Sequence, residues 1–168
     1  MKKRLIKQNK IIYELNENEM TADVIGNDKA TGDIIIPRKI NWGTQDYIIT
    51  KVQEGSFKNS NGIHSLVFSN DSFVNTIEKN SFVDSKIKSI SIPASISELK
   101  EGWCRGTKEL NNILVSPGNK YFINIDNKML LGKLNDKSEI YECIMFVRRD
   151  IDNIMIPSFI KKICSYSF

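Results

Sequence analysis

The stretch Ile92-Pro93-Ala94-Ser95-Ile96-Ser97-Glu98-Leu99-Lys100-Glu101-Gly102-Trp103-Cys104 aligns without a gap on Ile156-Pro157-Ser158-Phe159-Ile160-Lys161-Lys162-Ile163-Cys164-Ser165-Tyr166-Ser167-Phe168. Two looser copies run from Ile36-Pro37 to Val52-Gln53-Glu54-Gly55-Ser56-Phe57 and from Phe68-Ser69 to Ile77-Glu78-Lys79-Asn80-Ser81-Phe82. In every copy an aliphatic residue (Val52, Ile77, Leu99, Ile163) precedes a bulky or soft apolar one (Phe57, Phe82, Cys104, Phe168) by five positions. Phe57 and Phe82 are 25 residues apart; Phe82 and Cys104 are 22 apart. A period of about 20–29 residues marks a stack of short units, each burying its apolar edge only against its neighbours.

The segments before each Ile-Pro step align as well. Ile63-x-x-Leu66-x-Phe68, Ile87-x-x-Ile90-x-Ile92, Leu110-x-x-Ile113-x-Val115 and Ile151-x-x-Ile154-x-Ile156 share one apolar spacing. Their last members alternate with period two, as a strand buried on one face must. Parallel stacking then predicts one interior column of Leu66, Ile90, Ile113 and Ile154, and a second of Phe68, Ile92, Val115 and Ile156. Proline closes several copies because it cannot donate to a ladder. Ser, Gly, Asn and Lys follow and turn the chain back.

Two regions depart from this period. Ile11–Leu15, a polar Asn16-Glu17-Asn18-Glu19 and Met20–Ile25 read as a hairpin, so residues 1–32 are predicted to cap the open end of the first coil. Residues 116–150 read as an inserted β element within a repeat region spanning 33–168.

Composition agrees with this reading. Isoleucine outnumbers leucine 26 to 9, and Asn plus Ser reach 33 residues, which favours strands and turns. A length of 168 residues suits one domain. The net charge of +4 does not commit the chain to nucleic acid, and no aromatic residue interleaves with the basic start Met1-Lys2-Lys3-Arg4, which reads as a solvated end. No apolar run approaches the ~18 residues of a spanning helix. Lys7 and Lys10 interrupt what an export signal would need, so none is expected in this sequence.

Cys104, Cys143 and Cys164 are odd in number and far apart, and His64 is the single histidine. Neither a zinc site nor a disulfide framework is predicted; the cysteines read as reduced thiols behaving partly as small hydrophobes. Nucleotide-binding, zinc-protease and serine-hydrolase motifs are absent, so no catalytic residue and no cofactor is assigned. Arg148 and Arg149 beside Asp150 and Asp152 suggest surface ion pairing.

What remains is the outward side of the strands. Register predicts an exposed column of Ile35, Val67, Ser91, Leu114 and Met155, with His64, Lys88, Asn111 and Asp152 beside it. An apolar stripe edged by polar groups suits a protein partner, unless the insertion or the N-terminal segment covers it. Trp42 and Trp103 are expected half-buried against turns, with binding anchors as the alternative. Cys164 aligns with Gln53, Glu78 and Lys100 and is therefore expected to face solvent, where its thiol would form a dimer disulfide.

The aliphatic-Pro step, turn and aliphatic-x4-Phe step resemble the BspA-type leucine-rich repeat. Ser116-Pro117-Gly118-Asn119-Lys120-Tyr121 followed by Ile125-Asp126-Asn127-Lys128-Met129-Leu130 is similar to the hairpin of that family. The resemblance covers residues 33–168 and implies a mainly β, right-handed solenoid of parallel strands with turns and short helical turns. It also implies a non-enzymatic protein-binding role, in relatives placed at the cell surface in adhesion or as antigens. Cys104 stands where the family carries an aromatic, and Phe68-Ser69 replaces Ile-Pro. The last coil reads as uncapped, which points alternatively to an intracellular scaffold that dimerises through that edge.

Overall fold

A computed structural model describes residues 3–135 and 137–168. Met1 and Lys2 of the basic run and Asp136 of the insertion lie outside the described residues. Among the described residues fifteen strands follow in order: β1 (Arg4–Gln8), β2 (Ile11–Asn16), β3 (Thr21–Asn27), β4 (Gly32–Ile36), β5 (Lys39–Trp42), β6 (Gln45–Val52), β7 (Ile63–Phe68) and β8 (Thr76–Ile77), then β9 (Ser89–Ile92), β10 (Glu98–Leu99), β11 (Asn112–Val115), β12 (Phe122–Ile125), β13 (Met129–Lys133), β14 (Tyr141–Val147) and β15 (Lys162–Ile163). Among the described residues there is no helix.

Three sheets result. The order β4-β7-β9-β11 is parallel throughout. A second, mixed sheet runs β1-β2-β3-β6-β8-β10, with β5 antiparallel to β6; its first two pairs are antiparallel and β3/β6, β6/β8 and β8/β10 are parallel. In the third, β12, β13 and β14 form an antiparallel meander and β15 adds parallel to β14.

The repeat motif explains the two parallel ladders. Val24 lies opposite Val52, Val52 opposite Ile77 and Ile77 opposite Leu99, and all four are buried. On the other side Ile34, Leu66, Ile90 and Ile113 pair in sequence, as do Ile36 with Phe68 and Ile92 with Val115. Strands β4 and β9 stop at the residue before Pro37 and Pro93, respectively. Each buried aliphatic side chain contributes roughly 1.5–3 kcal/mol of transfer free energy, which only an adjacent coil supplies.

Between the ladders the chain makes consecutive turns, not the short helical turns expected. Within them Ser56 N donates to Gln53 O, Ser81 N to Glu78 O and Val83 N to Asn80 O. Two left-handed residues per coil stop these turns from propagating into a helix: Gly55, Asn80 and Gly102 at one repeat position (φ 73, 56 and 76°), and Asn59, Asp84 and Gly106 four residues on (φ 54, 56 and 72°). The Ser56 hydroxyl sits between the carbonyls of Val24 and Gln53 (2.9 and 2.6 Å), and Ser81 repeats this with Gln53 and Glu78.

An aromatic row runs through the core behind these turns. Phe57 stacks on Phe82 at 5.2 Å, Trp103 meets Phe82 edge-on at 6.0 Å, and Phe146 lies 6.4 Å beyond. Trp103 is therefore a fully buried core residue, correcting its expected half-buried place. By backbone register it occupies the serine position, since Phe57 N donates to Ser81 O and Phe82 N to Trp103 O. Its ring fills the space that Cys104, at the phenylalanine position, is too small to fill.

The fourth aligned segment does not join its ladder. Residues 151–161 form no strand; Ile151, Ile154 and Ile160 instead pack on a second small core of Met129, Leu131, Ile144 and Val147, and Ile156 is exposed. The hairpin takes the edge of β11 where a further strand would add, with Asn124 Nδ2 donating to Ile113 O at 2.6 Å. The end of the copy does recover the repeat, but against the insertion. Cys164 N donates to Ile144 O, and the Ser167 hydroxyl sits between the carbonyls of Ile144 and Cys164.

Candidate protein-binding face

Strand alternation turns two rows of the parallel ladder outward. Ile35 lies opposite Val67 and Ser91 opposite Leu114; the Leu66–Ile90 pair carries the register from Val67 to Ser91. Ile35 is 69% exposed and Leu114 56%. Ser91 makes a gap in this apolar row, and its hydroxyl accepts from Phe68 N at 2.9 Å. A shallow hollow of about 320 Å³ opens there, bounded by Val67, Ser91, Leu114 and the prolines Pro93 and Pro117.

A polar row two residues earlier, Asp33, Ser65, Ser89 and Asn112, runs parallel to it. Ser65 Oγ donates to Asp33 at 2.6 Å and Asn112 Nδ2 to Ser89 Oγ at 3.1 Å. The sequence reading passes over this row, although period two finds it by stepping back from each outward residue. It selects His64, Lys88 and Asn111 instead. Those residues stand at the leading ends of the strands, joined by backbone bonds from Lys88 N to His64 O and from Asn111 N to Lys88 O. His64 and Lys88 are exposed, and Asn111 is half-buried.

Met155 and Asp152 do not share this surface. They lie on the irregular 151–161 segment, Met155 being 88% exposed, because β12 and not a fifth strand borders β11.

Other expected features also move. Cys164 is buried, with its Sγ 3.5 Å from Met145 Sδ, which corrects its solvent-facing assignment and removes the basis for a dimer disulfide. Burial pushes the Cys104 thiol up to about 12, against the opposing pull of Arg149. Arg148 grips Asp150 through two bonds of 2.9 and 2.7 Å, while Arg149 reaches the carbonyls of Tyr166 and Ser167. Trp42 is exposed at a hairpin tip under the Arg4 guanidinium, which corrects its expected half-buried place.

A concavity of about 530 Å³ lies beside the N-terminal meander and is lined mostly by polar residues. Several of its polar groups bond to one another. Lys3 pairs with Glu14 at 2.8 Å, and Thr50 and Gln53 donate to Asp23. Among the described residues no three His, Cys, Asp or Glu side chains converge to hold a metal ion.

Comparison with known proteins places this architecture. A leucine-rich-repeat protein of Eubacterium ventriosum shares the fold over 100% of this chain and 57% of its own length, at 15% identity and a TM-score of 0.52. The pneumococcal vaccine antigen PcpA aligns with 98% of this chain and 62% of its own (17% identity, TM-score 0.48). A leucine-rich cell surface protein of Faecalibacterium prausnitzii aligns with 95% and 66% (12% identity, TM-score 0.43). The chain thus spans less than two thirds of each of these proteins. No curated protein sequence matches it. The sequence profile of the BspA type leucine-rich repeat region matches residues 38–135 in six copies; the fourth copy of the Ile-Pro alignment, residues 156–168, lies outside that range. With more than half its length matched by that profile and its parallel ladders built from the same repeat, the chain belongs to the BspA-type leucine-rich-repeat family.

Proposed function

We propose that this chain is a non-enzymatic protein-interaction module of a cell-surface adhesin or antigen, built as a solenoid and binding its partner on the outer face of β4, β7, β9 and β11. The observation that carries this reading is the exposed row of Ile35, Val67 and Leu114, notched at Ser91 and flanked by the polar row from Asp33 to Asn112. Apolar side chains held out on a regular sheet, beside groups that hydrogen-bond in the plane, offer a partner both buried area and a fixed direction. Family membership and the surface location named for one structural relative agree with that role.

A peptide-display selection against the full chain tests it, because a random library samples partner surfaces of many chemistries at once. Peptides enriched on the wild type should lose at least tenfold in affinity for Leu114→Asp and for Ile35→Asp, with far-UV spectra unchanged. Met155→Asp, off the ladder, should bind them as the wild type does. Failure of any peptide to enrich, or equal binding by all three variants, would overturn the assignment.

A second reading rests on a separate observation. Ile163 and Phe168 are 50% and 59% exposed where their counterparts in the other copies are buried, and Phe159 and Tyr166 of the same copy are exposed as well. Self-association of a scaffold through this coil would bury them. Sedimentation should then show a dimer that Phe168→Asp dissolves; a monomer at every concentration would reject it.

A further inference from the structure

We propose that Cys143, Met145 and Cys164 form a binding site for a soft metal ion, cuprous copper being the biological ion that it suits. In the parallel pair of β14 and β15, Cys143 lies opposite Lys162 and Ile144 opposite Ile163. Strand alternation therefore puts Cys143, Met145, Lys162 and Cys164 on one face. Cys164 Sγ is 3.5 Å from Met145 Sδ. Met145 is the residue at which β14 slips against β13, between the pairs of Leu130 with Phe146 and Leu131 with Ile144. A bulge of this kind re-aims the side chain that it carries. Here the thioether folds back over Gly132, the residue directly across from Cys143, where a methyl group would lie 3.2 Å from Sδ. Two sulfur residues of β14 and one just past the end of β15 thus share one strip. Both thiols are buried, while Met145 is only partly covered and leaves a way in.

The donor set selects the ion. Thiolate and thioether are soft ligands matched to cuprous copper, whereas zinc takes thiolate, imidazole or carboxylate. Strand spacing and rise put the Cα atoms of Cys143 and Cys164 about 8 Å apart along the diagonal. A disulfide needs a separation of about 4.4–6.8 Å, so the two sulfurs do not meet directly. An ion bonded to each at about 2.3 Å bridges that gap.

On binding, each thiol releases one proton to solvent and forms a sulfur–copper bond, and Met145 donates a lone pair. No electron is transferred. The resulting centre carries one net negative charge, and the Lys162 ammonium on the same face is its counter-ion. Because both thiols must lose a proton to bind the ion, loading competes with protons and strengthens as pH rises.

The test titrates the full, reduced chain under anaerobic conditions with cuprous copper held by a chromophoric chelator. One ion per chain should be withdrawn, with two protons released. Withdrawal should vanish in Cys143→Ser and Cys164→Ser, weaken at least tenfold in Met145→Leu, and persist in Cys104→Ala. In the unmodified chain the ion should slow alkylation of Cys143 and Cys164 by at least tenfold, read peptide by peptide, which needs no variant to fold. Absence of withdrawal by the wild type, withdrawal that survives either serine variant, or alkylation at unchanged rates would overturn the proposal.

Discussion

Val52, Ile77, Leu99 and Ile163 hold one place in four copies of the same motif, yet the first three are buried and the fourth is half exposed. The residues are nearly equivalent, so the difference lies in their neighbours. Val52 is paired on both sides, by Val24 and Ile77. Leu99 and Ile163 each pair on one side only, but Leu99 pairs with Ile77 of the preceding coil, whereas the neighbour of Ile163 is Ile144 of the insertion. The repeat sequence thus specifies a shape and a set of hydrogen bonds, while the free energy comes from what stacks against it. Ser167 repeats the bonding of Ser56 and Ser81 faithfully, although Phe168 beside it remains exposed.

The largest effect should come from the coil in which the motif is rearranged. Trp103→Ser removes the ring that bridges Phe82 and Phe146 and should cost about 3–5 kcal/mol in urea denaturation. Cys104→Phe alone crowds the same space and should cost about 1–3 kcal/mol. Combined, they restore the Ser-Phe order of the preceding coils, and the double variant should be at least about 1 kcal/mol more stable than the sum of the single losses. Strict additivity would show that the tryptophan does not stand in for the missing phenylalanine.

A direct break of the comparison comes next. Ile77→Ala should cost about 2–5 kcal/mol, because a fully buried side chain between two ladder partners leaves a cavity. Ile163→Ala should cost less than about 1 kcal/mol, since much of that side chain is already in water. Equal losses would mean that the last copy is as tightly packed as the first three.

Where the motif is read with its neighbours in sequence, the fold is legible; where an insertion intervenes, it is not. Leu66, Ile90 and Ile113 fall into one column because each coil follows the last with the same spacing. Ile154 shares that spacing but lies on the far side of a meander, and spacing carries no information about which surface the chain meets after it. Met155 and Asp152 leave the candidate face for the same reason. The polar row from Asp33 to Asn112 is within reach of period two but is obscured by the more conspicuous charges of His64 and Lys88. Alignment alone misplaces Cys164, because Gln53, Glu78 and Lys100 are long enough to reach water from a half-buried position and a cysteine there is not. Trp103 escapes the sequence because backbone register places it at a serine position, and only side-chain packing shows its ring among the phenylalanines.

The smallest expected effect separates the two regions through their thiols. Cys104, inside the third coil, titrates at about 12 when folded and near its ordinary value of 9 when unfolded. Between these values the folded chain holds a proton that the unfolded chain has released, so stability is complete below about pH 9 and falls as pH rises. The slope is about one tenfold step in the folding equilibrium per pH unit, and Tyr13, also raised to about 12 by burial, adds to it above pH 10. Cys104→Ala should flatten the decline between pH 9 and 10. Cys164→Ala should flatten it less, because that side chain lies nearer the surface. The reverse order would place the better-sealed thiol in the last copy, and the contrast between a coil stacked on the preceding coil and one stacked on the insertion would fail at its least demanding test.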